Sequence, residues 1–429
     1  MSALLNRASR WIGGNAIELL ENGEGYYPRV FEAIEQARRE VLIETFILFD
    51  DKVGQALRTA LIAAARRGVS VDLTIDGWGS PDLSDEFIHG MTQAGVRLHV
   101  FDHQPKLFGY LRLNLFRRLH RKLVVVDGRI AFIGGINFSA DHLGDFGPEA
   151  KQDYSVRIEG PLAAHIRRFA RSVLRQPHGV PADEAAARPP RSAAVNAARA
   201  GWRRWRERHA AVDEAPGAGG AQALFVTRDN HQHRNDIERH YRIAIRSARR
   251  QIIIANAYFF PGYRLLREMR RAARRGVDVR LILQGKPDMA IVPIAAGLLY
   301  QYLVGAGVTV YEYCRRPLHG KVALVDEEWA TVGSSNLDPL SLSLNLEANV
   351  VIRDRGFNQT LRESLEVLMQ QHCKRVDPQT IPKHSTWRGW ISVVVFHVLR
   401  HFPAWAERLP RHAPRLTSLT PPPDAANSQ

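Results

Sequence analysis

The amino-acid sequence predicts an α/β protein built from two repeated halves with mixed sheets, packed around one shared site. Short apolar runs alternate with segments of helical period, as in VLIETFILF followed by VGQALRTALIAAARRG. The same order then returns, because AARRGVSVDLTID in the first half matches AARRGVDVRLILQ in the second. A repeated order of strand, helix, strand, helix, strand and hairpin indicates that one α/β unit has been duplicated.

The composition limits the class of protein and of partner. The chain has 429 residues, of which 45% are hydrophobic and 24% are charged, as in a globular protein. Its two cysteines, Cys314 and Cys373, form neither a disulfide framework nor a metal cluster, which is consistent with a reducing compartment. The first residues lack the apolar core of a secretory signal. The formal net charge of +15 indicates a polyanionic partner, either nucleic acid or anionic lipid.

The repeat and the local composition predict the domain boundaries. We expect the first half at residues 15–175 and the second at residues 223–375. Residues 176–222 are rich in Ala, Pro and Gly and are predicted to form a linker. Residues 376–429 form a distinct C-terminal segment. The first half also carries about thirteen additional residues just before its motif histidine.

Each half contains one copy of the motif H-x-K-x-x-x-x-D, followed at a fixed distance by G-[GS]-x-N. The copies lie at residues 120–127 and 319–326. Side chains alternate along a strand, so the His and Lys of each copy are expected on the same side. The chain contains only eight lysines, and two of them are in these motifs. The equivalent residues are His120 and His319, Lys122 and Lys321, Asp127 and Asp326, and Asn137 and Asn336.

These residue types suit attack on a phosphodiester. One neutral imidazole can attack phosphorus while the other, protonated, gives its proton to the leaving oxygen. The lysines, with Asn137 and Asn336, can stabilise charge on the remaining phosphate oxygens. The lysines take the place of a divalent metal, so we predict no metal and no cofactor. Asp127 and Asp326 fall at turns, which leaves a catalytic and a structural role equally open.

Two further carboxylates follow the motifs. Asp153 begins the strand after the first motif, and Glu347 begins the strand after the second. A carboxylate on the far nitrogen of a histidine fixes its tautomer and stabilises its cation. Asp153 and Glu347 are therefore predicted to support the histidines, with exposed strand-end acids as the alternative. Glu44 is either a polar site residue or an acid at a strand edge.

The duplicated motif resembles the HKD motifs of the phospholipase D superfamily. Segments such as GSPDLSDEF, IANAYFFPGY and GSSNLDPLSLSLNLEAN resemble those of bacterial cardiolipin synthases, most closely the B type. The resemblance implies a duplicated phospholipase D-like fold of two α/β/α halves and a covalent phosphohistidine intermediate. The implied reaction transfers a phosphatidyl group from one phosphatidylglycerol to another, giving cardiolipin and glycerol. It also favours His120 as the nucleophile, whereas the motif pair itself leaves the choice between the two histidines open.

Two alternatives use the same motif residues. A hydrolytic phospholipase D would use water as the acceptor, and a phosphodiesterase would act on nucleic acid. Lipid is favoured by three segments that mix apolar or aromatic residues with basic ones: residues 107–118, the surroundings of Trp202 and Trp205, and residues 387–405. The apolar core of residues 391–399 is too short to span a bilayer. We therefore expect a peripheral enzyme on the cytoplasmic side of the inner membrane, with phosphatidylglycerol and no nucleic acid as its partner. The oligomeric state stays open.

Overall fold

The computed structural model describes residues 11–80, 83–102, 117–175, 217–285, 299–380 and 416–419. Of the predicted membrane-contacting segments, residues 107–116, Trp202, Trp205 and residues 387–405 lie outside the described residues, so their roles stay predictions. Arg118, at the end of the first segment, is instead buried and pairs with Asp76 and Asp102. No helix within the described ranges combines the length and apolar character needed to cross a membrane.

The first half runs from a long N-terminal strand to a helix at its carboxyl end. Its elements are β1 (Ile12–Glu21), α1 (Asn22–Glu35), β2 (Glu40–Thr45), α2 (Lys52–Arg66), β3 (Ser70–Asp76), α3 (Asp85–Gln93), β4 (Arg97–Phe101), β5 (Leu123–Val126), β6 (Ile130–Gly134), β7 (Tyr154–Glu159) and α4 (Pro161–Leu174).

The second half repeats this order and ends in an additional strand. Its elements are β8 (Ala221–Arg228), α5 (Asp236–Ser247), β9 (Gln251–Asn256), α6 (Tyr263–Arg274), β10 (Asp278–Gln284), β11 (Thr309–Tyr313), β12 (Lys321–Val325), β13 (Trp329–Gly333), α7 (Pro339–Ser343), β14 (Glu347–Arg353), α8 (Arg355–Gln371) and β15 (Cys373–Arg375). A last strand, β16 (Leu416–Leu419), lies in the C-terminal segment and pairs with β4 of the first half.

The strands described form one continuous sheet in which the two halves have the same order. That order is β15-β11-β10-β9-β12-β13-β14-β8-β1-β7-β6-β5-β2-β3-β4-β16. Strands β2, β3 and β4 are parallel, as are β9, β10 and β11, whereas the hairpins β5–β6 and β12–β13 are antiparallel. The predicted mixed sheet is therefore confirmed. Antiparallel pairing of β1 with β8 joins the halves.

Helix starts follow from local sequence signals. The side chain of Asp51 accepts hydrogen bonds from the backbone N–H groups of Val53 and Gly54 at the start of α2. Asp354 caps α8 in the same way, through the N–H of Phe357. These caps satisfy backbone donors that have no partner within the helix.

Alternation along the strands divides the core into layers. In β5, Val124 and Val126 pack in a cluster beneath the outer helices of the first half. Leu123 and Val125 belong to a second cluster, which also contains Leu324 of the second half. Successive strand residues point to opposite faces of the sheet. In each half, one face is therefore covered by that half's own helices, and the other face packs toward the other half. Helices α4 and α8 contribute to this shared cluster, which gives the α/β/α arrangement.

Candidate active site

The two motif histidines lie where strands β5 and β12 begin. Lys122 and Lys321 follow them and are almost completely buried, at 2% and 0% exposure. The ammonium of Lys122 donates to the carbonyl oxygen of His120, at 2.9 Å, and Lys321 donates to the carbonyl oxygen of His319. Each lysine is thus fixed beside the histidine of its own motif.

The histidines take their carboxylate partners from opposite halves. Nδ1 of His120 lies 3.0 Å from Oε2 of Glu347, and Nδ1 of His319 lies 2.6 Å from Oδ2 of Asp153. Both carboxylates are fully buried. An ionised carboxylate can only accept, so Nδ1 carries the hydrogen in each imidazole and Nε2 is left to meet a reacting atom.

Backbone bridges between the halves hold these pairs in register. The N–H of His120 donates to the carbonyl of Leu346, at 2.9 Å. The N–H of His319 donates to the carbonyl of Gln152, at 2.8 Å. Leu346 and Gln152 directly precede the partner carboxylates, so each bridge positions a histidine and its carboxylate together. The site is therefore built by both halves rather than twice within one half.

Buried side chains anchor the residues that lead into each histidine. In the first half Asp76 accepts from the N–H of Leu119 at 2.8 Å, and Arg118 forms ion pairs with Asp76 and Asp102. In the second half the neutral Gln284 accepts from the N–H of Leu318 at 2.5 Å. The residue before each motif histidine is therefore held by a charged network in the first half and by a neutral amide in the second.

Burial dominates the electrostatics of the site. It lowers the pKa of His120, although the neighbouring Glu347 partly offsets this effect. It lowers the pKa of His319 well below the usual value, and the charge of Lys321 adds to that decrease. Burial also lowers the pKa of Lys321 to about 8 and raises the pKa of Asp153 to about 6. Burial thus favours the neutral form of both imidazoles.

The motif aspartates lie at the other ends of their strands. The carboxylate of Asp127 accepts from the backbone N–H groups of residues 38–40, and that of Asp326 accepts from those of residues 249–251. Both residues have positive φ, 55° and 53°, in the turns after β5 and β12. At about 3.3 Å per strand residue, Asp127 is roughly 20 Å along the chain from His120. Their side chains thus brace turns rather than contact the histidines.

The motif asparagines are buried next to the site. Oδ1 of Asn137 accepts from the backbone N–H of Ile47 at 3.2 Å, so this side chain ties two loops together. Oδ1 of Asn336 is buried and has no hydrogen-bond partner among the described residues. The two equivalent asparagines therefore differ in their surroundings. Glu44 pairs with Arg121 at 2.6 Å, with both side chains buried, and contacts neither histidine.

Sequence reasoning missed His142, a buried histidine beside His319. Their ring centroids are 5.7 Å apart, and Nδ1 of His142 lies 3.8 Å from Oδ2 of Asp153. Nε2 of His142 accepts from the backbone N–H of Asn137 at 3.2 Å. Burial lowers the pKa of His142 to about 3, so it is neutral. The repeat gave no signal for it, because Ser341 occupies the equivalent position in the second half.

Two other contacts were also not foreseen. The ring of Phe46 lies 5.0 Å from the ring of His120 and beneath the ammonium of Lys122, at 5.2 Å. Ser334 donates to the carboxylate of Glu347. Phe46 and Ser334 limit the movement of the first histidine and of its partner, respectively.

One trio of side chains has the spacing of metal ligands. The ligand atoms of His142, Asp153 and His319 all lie within 4.8 Å of one another. Three of the chain's lysines, at positions 122, 151 and 321, depress the pKa of His142 by their charge after the larger effect of burial. The same positive potential opposes binding of a cation here.

Comparison with known proteins defines the class to which this fold and site belong. Residues 30–172 and 241–369 match the family model described as "Cardiolipin synthase, PLD-like domain". These stretches make up more than half of the chain, and the chain therefore belongs to this family of phospholipase D-like proteins.

Individual relatives extend the similarity over most of the chain. It is 57% identical over 412 residues to cardiolipin synthase B of Salmonella typhimurium, covering 96% of this chain and 94% of that protein. Cardiolipin synthase B of Escherichia coli is 56% identical over the same length and coverage. Cardiolipin synthase A of Pseudomonas aeruginosa is 32% identical over 362 residues, covering 83% of this chain and 67% of that protein. The predicted resemblance to the B type is confirmed.

A solved structure shares the fold at low identity. Phosphatidylserine synthase of Haemophilus influenzae superposes with a TM-score of 0.64 and 14% identity, covering 94% of this chain and 96% of that one. The duplicated phospholipase D-like fold predicted from the sequence is confirmed.

Proposed function

We propose that this chain is a cardiolipin synthase, a phosphatidyltransferase that converts two molecules of phosphatidylglycerol into cardiolipin and glycerol. One observation carries the proposal: the crossed pairs His120–Glu347 and His319–Asp153 bring two imidazoles into a single buried site. The relatives that match nearly the whole chain are cardiolipin synthases, which supports cardiolipin as the product.

The charges of the site suit a singly anionic phosphodiester. Lys122 and Lys321 contribute two positive charges, and Glu347 and Asp153 contribute two negative ones. A bound phosphodiester adds one negative charge, which one protonated imidazole balances. The anion also favours the charged forms of the lysines, opposing the decrease in pKa that burial causes.

In the first half-reaction, Nε2 of one histidine attacks phosphorus and the P–O bond to the glycerol headgroup breaks. The second histidine, protonated on Nε2, gives its proton to the departing glycerol oxygen. The product is a phosphatidyl-histidine, with free glycerol released. Lys122 and Lys321 stabilise charge on the two non-bridging oxygens.

The second half-reaction reverses the proton movement. The primary hydroxyl of another phosphatidylglycerol loses its proton to the second histidine and attacks phosphorus. The P–N bond to the first histidine breaks, which restores the enzyme and completes cardiolipin. One phosphodiester replaces another, so no nucleotide, metal or other cofactor is part of the proposed scheme.

The other site residues receive supporting roles in this proposal. Glu347 and Asp153 fix the tautomers of the histidines and stabilise the imidazolium. Asn137 positions the loop that contains Ile47, and Asn336 offers its side chain to the substrate. Of the two roles that the sequence left open for Asp127 and Asp326, we assign the structural one, because their carboxylates hold backbone N–H groups at turns.

We place the enzyme at the cytoplasmic face of the inner membrane as a peripheral protein, with anionic phospholipid rather than nucleic acid as its partner. The lipid-synthase names of the relatives and the net charge of +15 support this placement.

A product assay tests the proposed reaction. Purified protein is incubated with phosphatidylglycerol in mixed micelles and a chelator, and the lipids are resolved by mass spectrometry. Cardiolipin and an equal amount of glycerol are expected, and His319→Ala is expected to form neither. Phosphatidic acid without cardiolipin would instead identify a hydrolytic phospholipase D. Absence of any lipid product would reject both lipid activities.

A further inference from the structure

Most of the strongly exposed large apolar side chains in the described ranges lie at one edge of the sheet. Within the described ranges six of them are at least 40% exposed: Phe49, Trp78, Phe146, Tyr263, Leu340 and Val367. The first five, which we call the rim side chains, follow strand ends at the edge that carries the motif histidines. Val367 lies within helix α8 and does not follow a strand end at that edge.

In the first half, strand pairing places two of these side chains at that edge. Strands β2 and β3 are parallel, so their carboxyl ends lie side by side, with Thr45 paired to Ile75. Phe49 follows β2 and Trp78 follows β3. The ring of Trp78 lies 6.1 Å from that of Phe46, which contacts His120.

The third rim side chain lies in the loop between the first motif and Asp153. Phe146 ends the short 3-10 helix Gly144–Phe146 and is the most exposed of the six, at 51%. Its neighbour Asp145 pairs with Lys52, at the start of α2. This ion pair ties the loop of Phe146 to the loop of Phe49.

The second half repeats the arrangement. Lys321 pairs with Asn256, which sets the beginning of β12 beside the end of β9. Tyr263 follows β9, and Leu340 follows β13 in α7. A backbone bridge between Phe259 and Leu337 joins the two loops.

Charge distinguishes the two halves of this edge. At the start of α6, Arg264 and Arg267 are exposed beside Tyr263. The guanidinium of Arg267 lies over the ring of Tyr263, 5.2 Å from its centroid. The first-half loops carry Asp50 and Asp145, of which Asp145 is paired with Lys52. Apolar side chains therefore lie at the edge that carries the motif histidines, and Arg264 and Arg267 add positive charge on its second-half side.

We propose that the rim side chains form the surface by which this enzyme docks on an anionic phospholipid bilayer, with Arg264 and Arg267 at the start of α6 contacting lipid phosphates. This inference rests on the proposed function, because a lipid substrate must pass from the bilayer into the site that the rim surrounds. Exposed apolar side chains gathered at one edge are typical of interaction sites. Arginine beside them adds attraction to anionic headgroups.

Vesicle binding tests the surface. The full-length triple variant Phe49→Ser/Phe146→Ser/Leu340→Ser removes three rim side chains, and Val367→Ser is the control for an equally exposed position elsewhere. Each is sedimented with vesicles of phosphatidylglycerol and phosphatidylcholine at fixed salt. The triple variant is expected to bind at least roughly tenfold more weakly than wild type, and the control within about twofold of it. Single serine variants give the same comparison if the triple variant is unstable.

A second measurement shows that the site itself is intact. Turnover of short-chain phosphatidylglycerol below its micelle concentration needs no bilayer, so the triple variant is expected to retain it within about threefold. Unchanged vesicle binding by the triple variant would overturn the docking surface. An equal loss of vesicle binding in Val367→Ser would also overturn the docking surface. Concentration-dependent dimers of wild type that the triple variant lacks, with unchanged vesicle binding, would assign the rim to self-association instead.

The outcomes for docking and for catalysis are separable. Wild-type protein that makes cardiolipin while the triple variant binds vesicles normally would reject only the docking surface. Wild-type protein that binds vesicles through the rim but makes no cardiolipin would reject only the proposed reaction.

Discussion

His120 and Glu347 are 227 residues apart in the chain, yet Nδ1 of the histidine lies 3.0 Å from the carboxylate. The equivalent pair, His319 and Asp153, crosses the molecule in the opposite direction. Each half thus supplies a histidine to one pair and a carboxylate to the other. The reactive site exists only when the halves are packed together.

Replacing either partner carboxylate is expected to reduce turnover strongly. Glu347→Gln removes the acceptor that fixes the tautomer of His120 and stabilises its cation, so kcat should fall by roughly 10²–10⁴-fold. Because Glu347 is buried behind the imidazole, KM should change much less. Steady-state kinetics with phosphatidylglycerol measure both constants.

The exposed Glu149→Gln is a suitable control, since Glu149 lies in the same loop region as Asp153 without being buried. If Glu347→Gln kept near-full activity, the crossed pairs would have no part in catalysis.

The pH dependence of kcat/KM should show two limbs. Burial raises the pKa of Asp153 to about 6, so acidification through that value protonates the partner of His319 and lowers the rate. Burial lowers the pKa of Lys321 to about 8, so the rate should also fall as the pH rises through that value and the ammonium loses its proton. Initial rates between pH 5 and 9.5 would define both limbs.

Lys321→Arg separates the two limbs, because arginine stays protonated above pH 12. Its profile should keep the acidic limb and lose the alkaline one, even if the overall rate is lower. An alkaline limb that stays at the same pH would assign it to another group.

The first motif aspartate should matter for folding rather than for chemistry. Asp127→Ala removes the acceptor of three backbone N–H groups at a turn, so the free energy of unfolding should fall by about 1–3 kcal/mol. The kcat of the folded fraction should stay within a few-fold of wild type. Urea titration and active-site-normalised kinetics measure these effects.

The stabilisation from Asp127 should also depend on pH. Burial would raise its pKa, but hydrogen bonds from the backbone at residues 38–40 outweigh this and leave the pKa below the usual value. Its contribution is therefore present above the unfolded-state pKa and is lost as the pH falls through the lower, folded-state value. A loss of kcat without any loss of stability in Asp127→Ala would contradict the structural assignment.

Because Gly135 has no side chain, it leaves room for the carboxylate of Asp153. A Cβ atom at this position would lie 2.3 Å from Oδ1 of Asp153, whereas the second half carries Ser334 at the equivalent position. Gly135→Ala should displace the carboxylate from His319 and reduce kcat by roughly 10²-fold or more. The kinetics of the folded variant check this expectation.

Gly220→Ala provides the matched control, because a Cβ at Gly220 meets no atom within 4 Å. Equal activities of Gly135→Ala and Gly220→Ala would show that the position of Asp153 is not critical.

Much of the architecture could be predicted because its signals are local. The apolar runs at residues 41–43 and 252–255 and the helical segments between strands are properties of contiguous stretches, and the repeat doubled each signal. The turn positions of Asp127 and Asp326 could be predicted from sequence, but the backbone groups that they hold could not. Those groups lie about 80 residues away, at residues 38–40 and 249–251.

The part played by His142 could not be predicted for a similar reason. Nothing in the neighbouring sequence marks this histidine, and Ser341 at the equivalent position breaks the repeat that identified the other residues. It becomes a member of the site only because the second half brings His319 to within 5.7 Å of its ring.

By itself, the sequence determined the repeated α/β order, the two motif copies and the kind of chemistry that imidazole, ammonium and carboxylate groups support. Only the tertiary structure decided that Asp153 serves His319 and Glu347 serves His120, each across the boundary between the halves. The physical reason is that local sequence fixes strands, helices and turns. Contacts between residues 166 or 227 positions apart are set instead by the register in which the two halves bury their shared core.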